Sequence, residues 1–128
     1  MTIIVKTQTA EQGLDEFKLL VIKHRLYTPT GEIRHIVLNP LSNIKLISIA
    51  FDEGIPVGVC TFSVDDFCGD TRNVVNTWVK PSMRKKGIGR TLVSESRKLV
   101  DGYVYGYFTK KIKHIYKEFG ISLWGEPV

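Results

Sequence analysis

Six residues suited to holding a phosphate-bearing ligand fall within seven positions of this chain: Arg84, Lys85, Lys86, Gly87, Gly89 and Arg90. Glycines without Cβ atoms let a backbone turn tightly and come close to a ligand. Apolar residues recur at helical spacing from Ile88 onward, so the loop opens onto a helix N-terminus. There the unpaired N–H groups and the positive end of the helix dipole favour an anion. The basic side chains add mobile positive charge around the same spot. The chemistry on offer is the binding of a polyanionic small molecule.

These residues carry a family resemblance as well. Val79-x-Pro81 at a strand end, then Arg84-x-x-Gly87-x-Gly89, an amphipathic helix, a strand and Tyr116-x-x-x-Gly120-Ile121 resembles the acyl-CoA signature of the GNAT N-acyltransferase superfamily. Ile121 stands where the family pattern has an aromatic residue. The likeness spans residues 44–125 in order and spacing; the first forty residues are compatible with it without being diagnostic. It implies acetyl-CoA or a related acyl-CoA as donor cosubstrate. It also implies direct attack on the thioester by an acceptor amine, with no metal and no covalent intermediate.

The resemblance assigns roles by position. The N–H groups of residues 86–89, with Arg84, Lys85 and Arg90, would meet the coenzyme phosphates, which makes Lys86, Gly87, Ile88 and Gly89 binding residues. The pantetheine arm would lie like an extra strand along residues 75–79. The backbone of Trp78, Val79 and Lys80 would steady the thioester carbonyl, a contribution of roughly 3 kcal/mol for one well-aimed donor. Trp78's own side chain reads as packing. Thr109 stands where many relatives have an asparagine touching the coenzyme. Tyr116 stands where they place the phenol that protonates the departing thiolate, and a phenol of pKa ~10 suits that task. It also falls on the apolar stripe of its helix, so a core tyrosine is an equal reading.

No general base is evident. Asn76 and Thr77 occupy the strand before the loop, and neither is a base at neutral pH. Asp65, Asp66, Asp70, Glu32 and Glu53 are loop carboxylates that could border an acceptor, and a water chain could serve instead. His24, His35 and His114 show no ligand spacing, and Cys60 and Cys68 form no CxxC pair. Cys60 reads as core and Cys68 as a loop thiol.

Stepping outward, 128 residues suffice for one domain, 1–128, with a real core. No apolar run approaches the ~20 residues of a membrane span, and the N-terminus lacks the pattern of a secretory signal. A cytoplasmic protein with reduced thiols follows from that reading. The net charge of +5 divides into +9 for residues 80–117 and −4 for the rest. Coenzyme A and nucleic acid are the two anionic partners this favours, against a merely solvated face. Alternating Tyr103, Tyr105 and Tyr107, with Phe108, would serve as a stacking face in the nucleic-acid reading, but the glycine spacing has no role there. A non-catalytic acyl-CoA binding module is the third reading.

The elements that must position this loop can be read from pattern. Residues 3–7 form a strand. A capping box at Thr9 and Gln12 starts a helix over 10–25, and 32–39 is a short helix or irregular. Residues 44–51 and 57–64 form a hairpin around a 52–56 turn, 65–70 a polar loop, and 74–79 a strand ended by Pro81. Ile88, Leu92, Val93, Leu99 and Val100 mark a helix stopped by Gly102. Residues 103–108 form a strand, 112–119 a helix stopped by Gly120, and 121–124 a last strand. Consecutive strands followed by alternation imply an α+β fold: a mixed, mostly antiparallel sheet with helices on both faces. The short C-terminal end leaves an edge that is either simply small or covered by a second copy in a homodimer. The acceptor stays open among small amines, aminoglycosides, polyamines, protein N-termini and lysine side chains.

Overall fold

Runs of β-branched residues punctuated by turn residues become strands wherever they occur. The computed structural model contains β1 (Ile3–Thr9), β2 (Ile44–Asp52), β3 (Ile55–Phe67), β4 (Asp70–Val79), β5 (Val104–Tyr107) and β6 (Ser122–Trp124). Residues 11–13, 15 and 17 are helical (α1), and α2 (Ile88–Arg97) and α3 (Lys113–Glu118) follow β4 and β5. The structure describes residues 3–9, 11–13, 15, 17, 44–67, 70–107 and 112–124. The remainder of the expected first helix, residues 32–39, Cys68, Phe108 and Thr109 lie outside the described residues. Among the described residues, no helix is long and apolar enough to cross a membrane.

The strands make one sheet in sequence order. β1 to β4 pair antiparallel, whereas β5 is parallel to β4 and β6 parallel to β5. This is the mixed, mostly antiparallel α+β sheet implied by the element order. Side chains alternate across it. Ser48 reaches Ser96 of α2 on one face, while its neighbour Ile47 faces Gly13 of α1 on the other. On the α2 and α3 face, Cys60, Phe62, Val75, Ile88, Leu92, Val93, Val104, Tyr116 and Ile121 form a buried core.

Local chemistry explains the ends of these elements. The capping box is present: the Thr9 amide donates to Gln12 Oε1 at 3.3 Å and the Gln12 amide to Thr9 Oγ1 at 3.4 Å. Gly120, at φ 70°, ends α3. Its amide meets the Lys117 carbonyl at 3.2 Å and the Ile121 amide meets the Tyr116 carbonyl at 2.9 Å, a Schellman arrangement. The Tyr-x-x-x-Gly-Ile spacing is therefore a capping geometry as well as a family pattern.

Several boundaries differ from the pattern-based expectation, β1 running on to Thr9 among them, and three have a clear physical reason. The 52–56 turn contracts to Glu53 and Gly54, both at positive φ (49° and 79°) as a two-residue hairpin requires. Pro56 then sits in β3 at an irregularity in the ladder, where its missing N–H does least harm. The expected 65–70 loop is mostly ladder, with Asp65, Asp66 and Phe67 paired to Arg72, Thr71 and Asp70. Pairing is a backbone interaction and continues where apolar alternation stops. The helix predicted to reach Val100 ends at Arg97, and Leu99 is exposed. Arg97 is the reason: its guanidinium donates to the carbonyls of Val100, Phe119 (3.3 Å) and Gly102 (2.9 Å), turning the chain toward β5.

Candidate active site

The site begins where two neighbouring strands part. β4 pairs with β5 only through Asn73, Val74 and Val75, opposite Val104, Tyr105 and Gly106. Beyond that, β4 stays with β3 as far as Val79, while β5 stays with β6 as far as Tyr107. The sheet thus splits after Val75. At the end of β4 the Lys80 amide bonds the Val57 carbonyl at 2.8 Å. Alternation then turns Val79's N–H and C=O toward the split, and the Val79 carbonyl accepts from Arg84 Nε at 2.8 Å. Of Trp78, Val79 and Lys80, Val79 is the residue whose amide faces the opening.

The loop that closes β4 is built for a bare helix start. Pro81–Met83 is a 3₁₀ turn, Lys85 and Gly87 take positive φ (63° and 80°), and Gly87 caps α2 with no side-chain hydrogen bond. The first helical bonds run from the Thr91 amide and hydroxyl to the Gly87 carbonyl, at 3.1 and 3.0 Å. The amides of Ile88, Gly89 and Arg90 precede the first intrahelical bond and point out of the helix end. Lys85 and Lys86 are exposed beside them, Ile88 is buried in the core, and Lys80 is half-buried. The two glycines differ. Gly87 is needed for its left-handed backbone. At Gly89 a Cβ would make only ordinary contacts, 3.6 Å from Val79 Cγ2 and 3.9 Å from Ile112 Cδ1. The fold does not demand glycine there.

Arg90 is engaged elsewhere. It pairs with both carboxylate oxygens of Glu118, Nε lying 3.1 Å from Oε2, and stacks 5.7 Å from the Phe119 ring centre. That pairing holds the Glu118 carboxyl below its usual range, and it clamps α3 to the start of α2.

Tyr116, on α3, is 1% exposed. Its hydroxyl donates to Thr77 Oγ1 at 3.0 Å, and the Thr77 hydroxyl donates to Cys60 Sγ at 3.5 Å. Burial pushes the Tyr116 phenol well above its ordinary value, with Cys60 adding and the Thr77 bond opposing. Burial also pushes the Cys60 thiol up to about 11, against hydrogen bonds from Thr77 and Ser96. Cys60 is therefore a thiol at neutral pH, wrong for a nucleophile. These groups belong to one row, because Thr7, Ser48, Cys60 and Thr77 lie directly opposite one another across four strands. Ser48 Oγ lies 2.8 Å from Thr7 Oγ1 and 2.5 Å from Ser96 Oγ. Sequence reasoning set Thr77 aside as no base and passed over this row; the mid-strand glycine Gly106, against which the Tyr116 ring packs, was its one visible signal.

The candidate carboxylates are not gathered here. Residues 65, 66 and 70 lie at the end of β3 and β4 away from the glycine loop, Glu53 is exposed on the β2–β3 turn, and Glu32 lies outside the described residues.

A strand end, an uncapped helix start and a split sheet in this order match a known pattern. The chain fits the Acetyltransferase (GNAT) family over residues 18–110. It belongs to the GNAT acetyltransferases. Solved structures share its fold at low identity. An aminoglycoside acetyltransferase from an uncultured soil metagenomic sample, in complex with trehalose, superposes with TM-score 0.61 at 14% identity, over 98% of this chain and 92% of that one. An integron cassette protein from the mobile metagenome of V. cholerae gives 0.63 at 18% identity, over 100% and 90%. A predicted acetyltransferase with acetyl-CoA from Clostridium acetobutylicum gives 0.57 at 12% identity, over 99% and 94%. No curated protein matches the chain in sequence. Enzymes of this family use acetyl-CoA as their cosubstrate.

Proposed function

We propose that this GNAT protein transfers an acetyl group from acetyl-CoA to a primary amine by direct attack, as one catalytic domain in the reducing cytoplasm. The observation that carries the reading is the uncapped start of α2 beside the opening between β4 and β5. The outward amides of Ile88, Gly89 and Arg90 bind the pyrophosphate, with Lys85 and Lys86 supplying positive charge. The pantetheine arm enters the split and pairs with the β4 edge from Val79 toward Val75. The Val79 amide donates to it or to the thioester carbonyl. Arg84 braces the strand end, and Arg90 holds α3 in place until a phosphate draws it away from Glu118. Thr109 stays a candidate coenzyme contact.

The amine attacks the acetyl carbon, the C–S bond breaks, and the sulfur leaves with the electron pair. Tyr116 is the proton source for that sulfur; burial raises its pKa, so it gives up the proton only as charge develops on the sulfur. Burial keeps the Cys60 thiol protonated, which favours direct attack over an acyl-cysteine at that residue. The acceptor is an amine, and the aminoglycoside named for one neighbour puts amino sugars first among those to try. Calorimetry should show acetyl-CoA binding in the micromolar range, followed by release of CoA thiol with an amine panel. No binding at millimolar acetyl-CoA defeats the reading.

A further inference from the structure

Tyr116 is almost wholly buried, whereas Thr77, which its hydroxyl contacts, is half-buried and lies two residues beyond the last β4–β5 pair. The hydrogen bonds already run in one direction, from the Tyr116 hydroxyl to Thr77 Oγ1 and from the Thr77 hydroxyl to a sulfur, that of the buried Cys60. We infer that Thr77 is the direct hydrogen-bond donor to the thioester sulfur, and that Tyr116 acts through it. Cys60 Sγ holds the Thr77 proton in the free protein, and the coenzyme sulfur takes its place when acetyl-CoA enters the split. This rests on the acetyltransferase reading above and assigns to Thr77 a role that reading leaves open.

The step balances. The acceptor nitrogen bonds the acetyl carbon and the C–S bond breaks. Thr77 Oγ1–H passes its proton to the departing sulfur while Oγ1 receives the Tyr116 proton. The phenolate left behind is reprotonated, through water, by the proton the acceptor nitrogen has lost. Burial of Tyr116 makes the phenolate costly, so the hydroxyl pair works mainly by stabilising the sulfur as charge develops and completes the transfer only as the acceptor's proton arrives.

The test compares Thr77→Val, Thr77→Ser, Tyr116→Phe and the Thr77→Val/Tyr116→Phe double variant of the full chain. Acetyl-CoA affinity is measured by calorimetry, and CoA thiol release with aminoglycoside, polyamine and peptide amines and with water alone. Thr77→Val keeps the size of the side chain, puts a methyl in place of the hydroxyl and removes the acceptor of the Tyr116 hydroxyl. It should lower kcat by roughly 100-fold or more with the acetyl-CoA Kd unchanged within about twofold. Thr77→Ser should restore activity to within about threefold of the native protein, and adding Tyr116→Phe to Thr77→Val should cause no further loss. A large fall in Tyr116→Phe with near-native turnover in Thr77→Val overturns the relay and leaves the acetyltransferase reading standing. Loss of acetyl-CoA binding in Thr77→Val in proportion to its lost turnover also overturns it, as a structural effect. Native protein that fails to bind acetyl-CoA, or binds it and never releases CoA thiol, overturns the reading itself and the relay with it.

Discussion

Gly106 lies directly beneath the Tyr116 ring: a Cβ there would stand 2.7 Å from Cε2 and 2.9 Å from Cδ2. Val75 Cγ1 closes the same space at 3.0 Å. The glycine thus lets α3 settle onto the sheet at the point where β4 and β5 part, and it seats the Tyr116 hydroxyl on Thr77. Replacing Gly106 with alanine forces the ring away from strands that cannot yield. Overpacking of this kind costs about 1–3 kcal/mol. Urea unfolding should show that loss, and turnover should fall further than stability alone explains. A native-like midpoint would mean that the ring has room to move.

The two loop glycines should separate under substitution. Gly87→Ala forces a left-handed backbone on a residue with a Cβ, which costs roughly 1–2 kcal/mol of stability. Gly89→Ala meets only ordinary contacts and should leave the unfolding midpoint unchanged. It should nevertheless weaken acetyl-CoA binding by tenfold or more, because the added methyl stands where the phosphates approach. Calorimetry and thermal unfolding on both variants check this, and equal affinity in Gly89→Ala would show that ligand and backbone never come close.

Alkaline pH should loosen the core selectively. The Cys60 thiol titrates at about 11 in the folded protein against 9.0 ordinarily. Its folded pKa is raised, so its contribution is whole below about pH 9 and is lost as pH climbs through 11. Two pKa units correspond to on the order of 3 kcal/mol. Tyr116, shifted the same way by burial, adds to the loss at still higher pH. Urea midpoints followed from neutral to alkaline pH should fall more steeply for the native protein than for Cys60→Ala. At neutral pH the native thiol should resist thiol reagents until the chain unfolds.

Arg97→Lys keeps the charge and loses the fork. One guanidinium serves three carbonyls from two segments, those of Val100, Gly102 and Phe119. A lysine cannot reach all three. Stability should drop by on the order of 2 kcal/mol, read from denaturant unfolding. Acetyl-CoA affinity per folded molecule should hold. An unchanged midpoint would show that water replaces the fork without loss.

The features legible along the chain are those that short-range chemistry dictates. The glycine loop at a strand-to-helix junction, the Thr9–Gln12 box and the Gly120 stop all involve groups within a few residues of one another. Their geometry follows from backbone conformation and helix-end hydrogen bonding, and the family pattern of residues 79–89 and 116–121 rests on the same local rules. Strand boundaries were less legible, because ladder pairing carried β3 and β4 through the charged 65–70 stretch that pattern reads as loop. The long-range relationships were decided by tertiary structure alone. The row of Thr7, Ser48, Cys60 and Thr77 exists only through strand register, since each member comes from a different strand. The pairing of Arg90, a residue expected at the coenzyme phosphates, with Glu118 joins groups twenty-eight positions apart. The point after Val75 where β5 leaves β4 coincides with the packing of Gly106, Tyr116 and α3. No local preference in any one of those segments encodes the split, because it arises from which surfaces are buried against one another once the chain has closed.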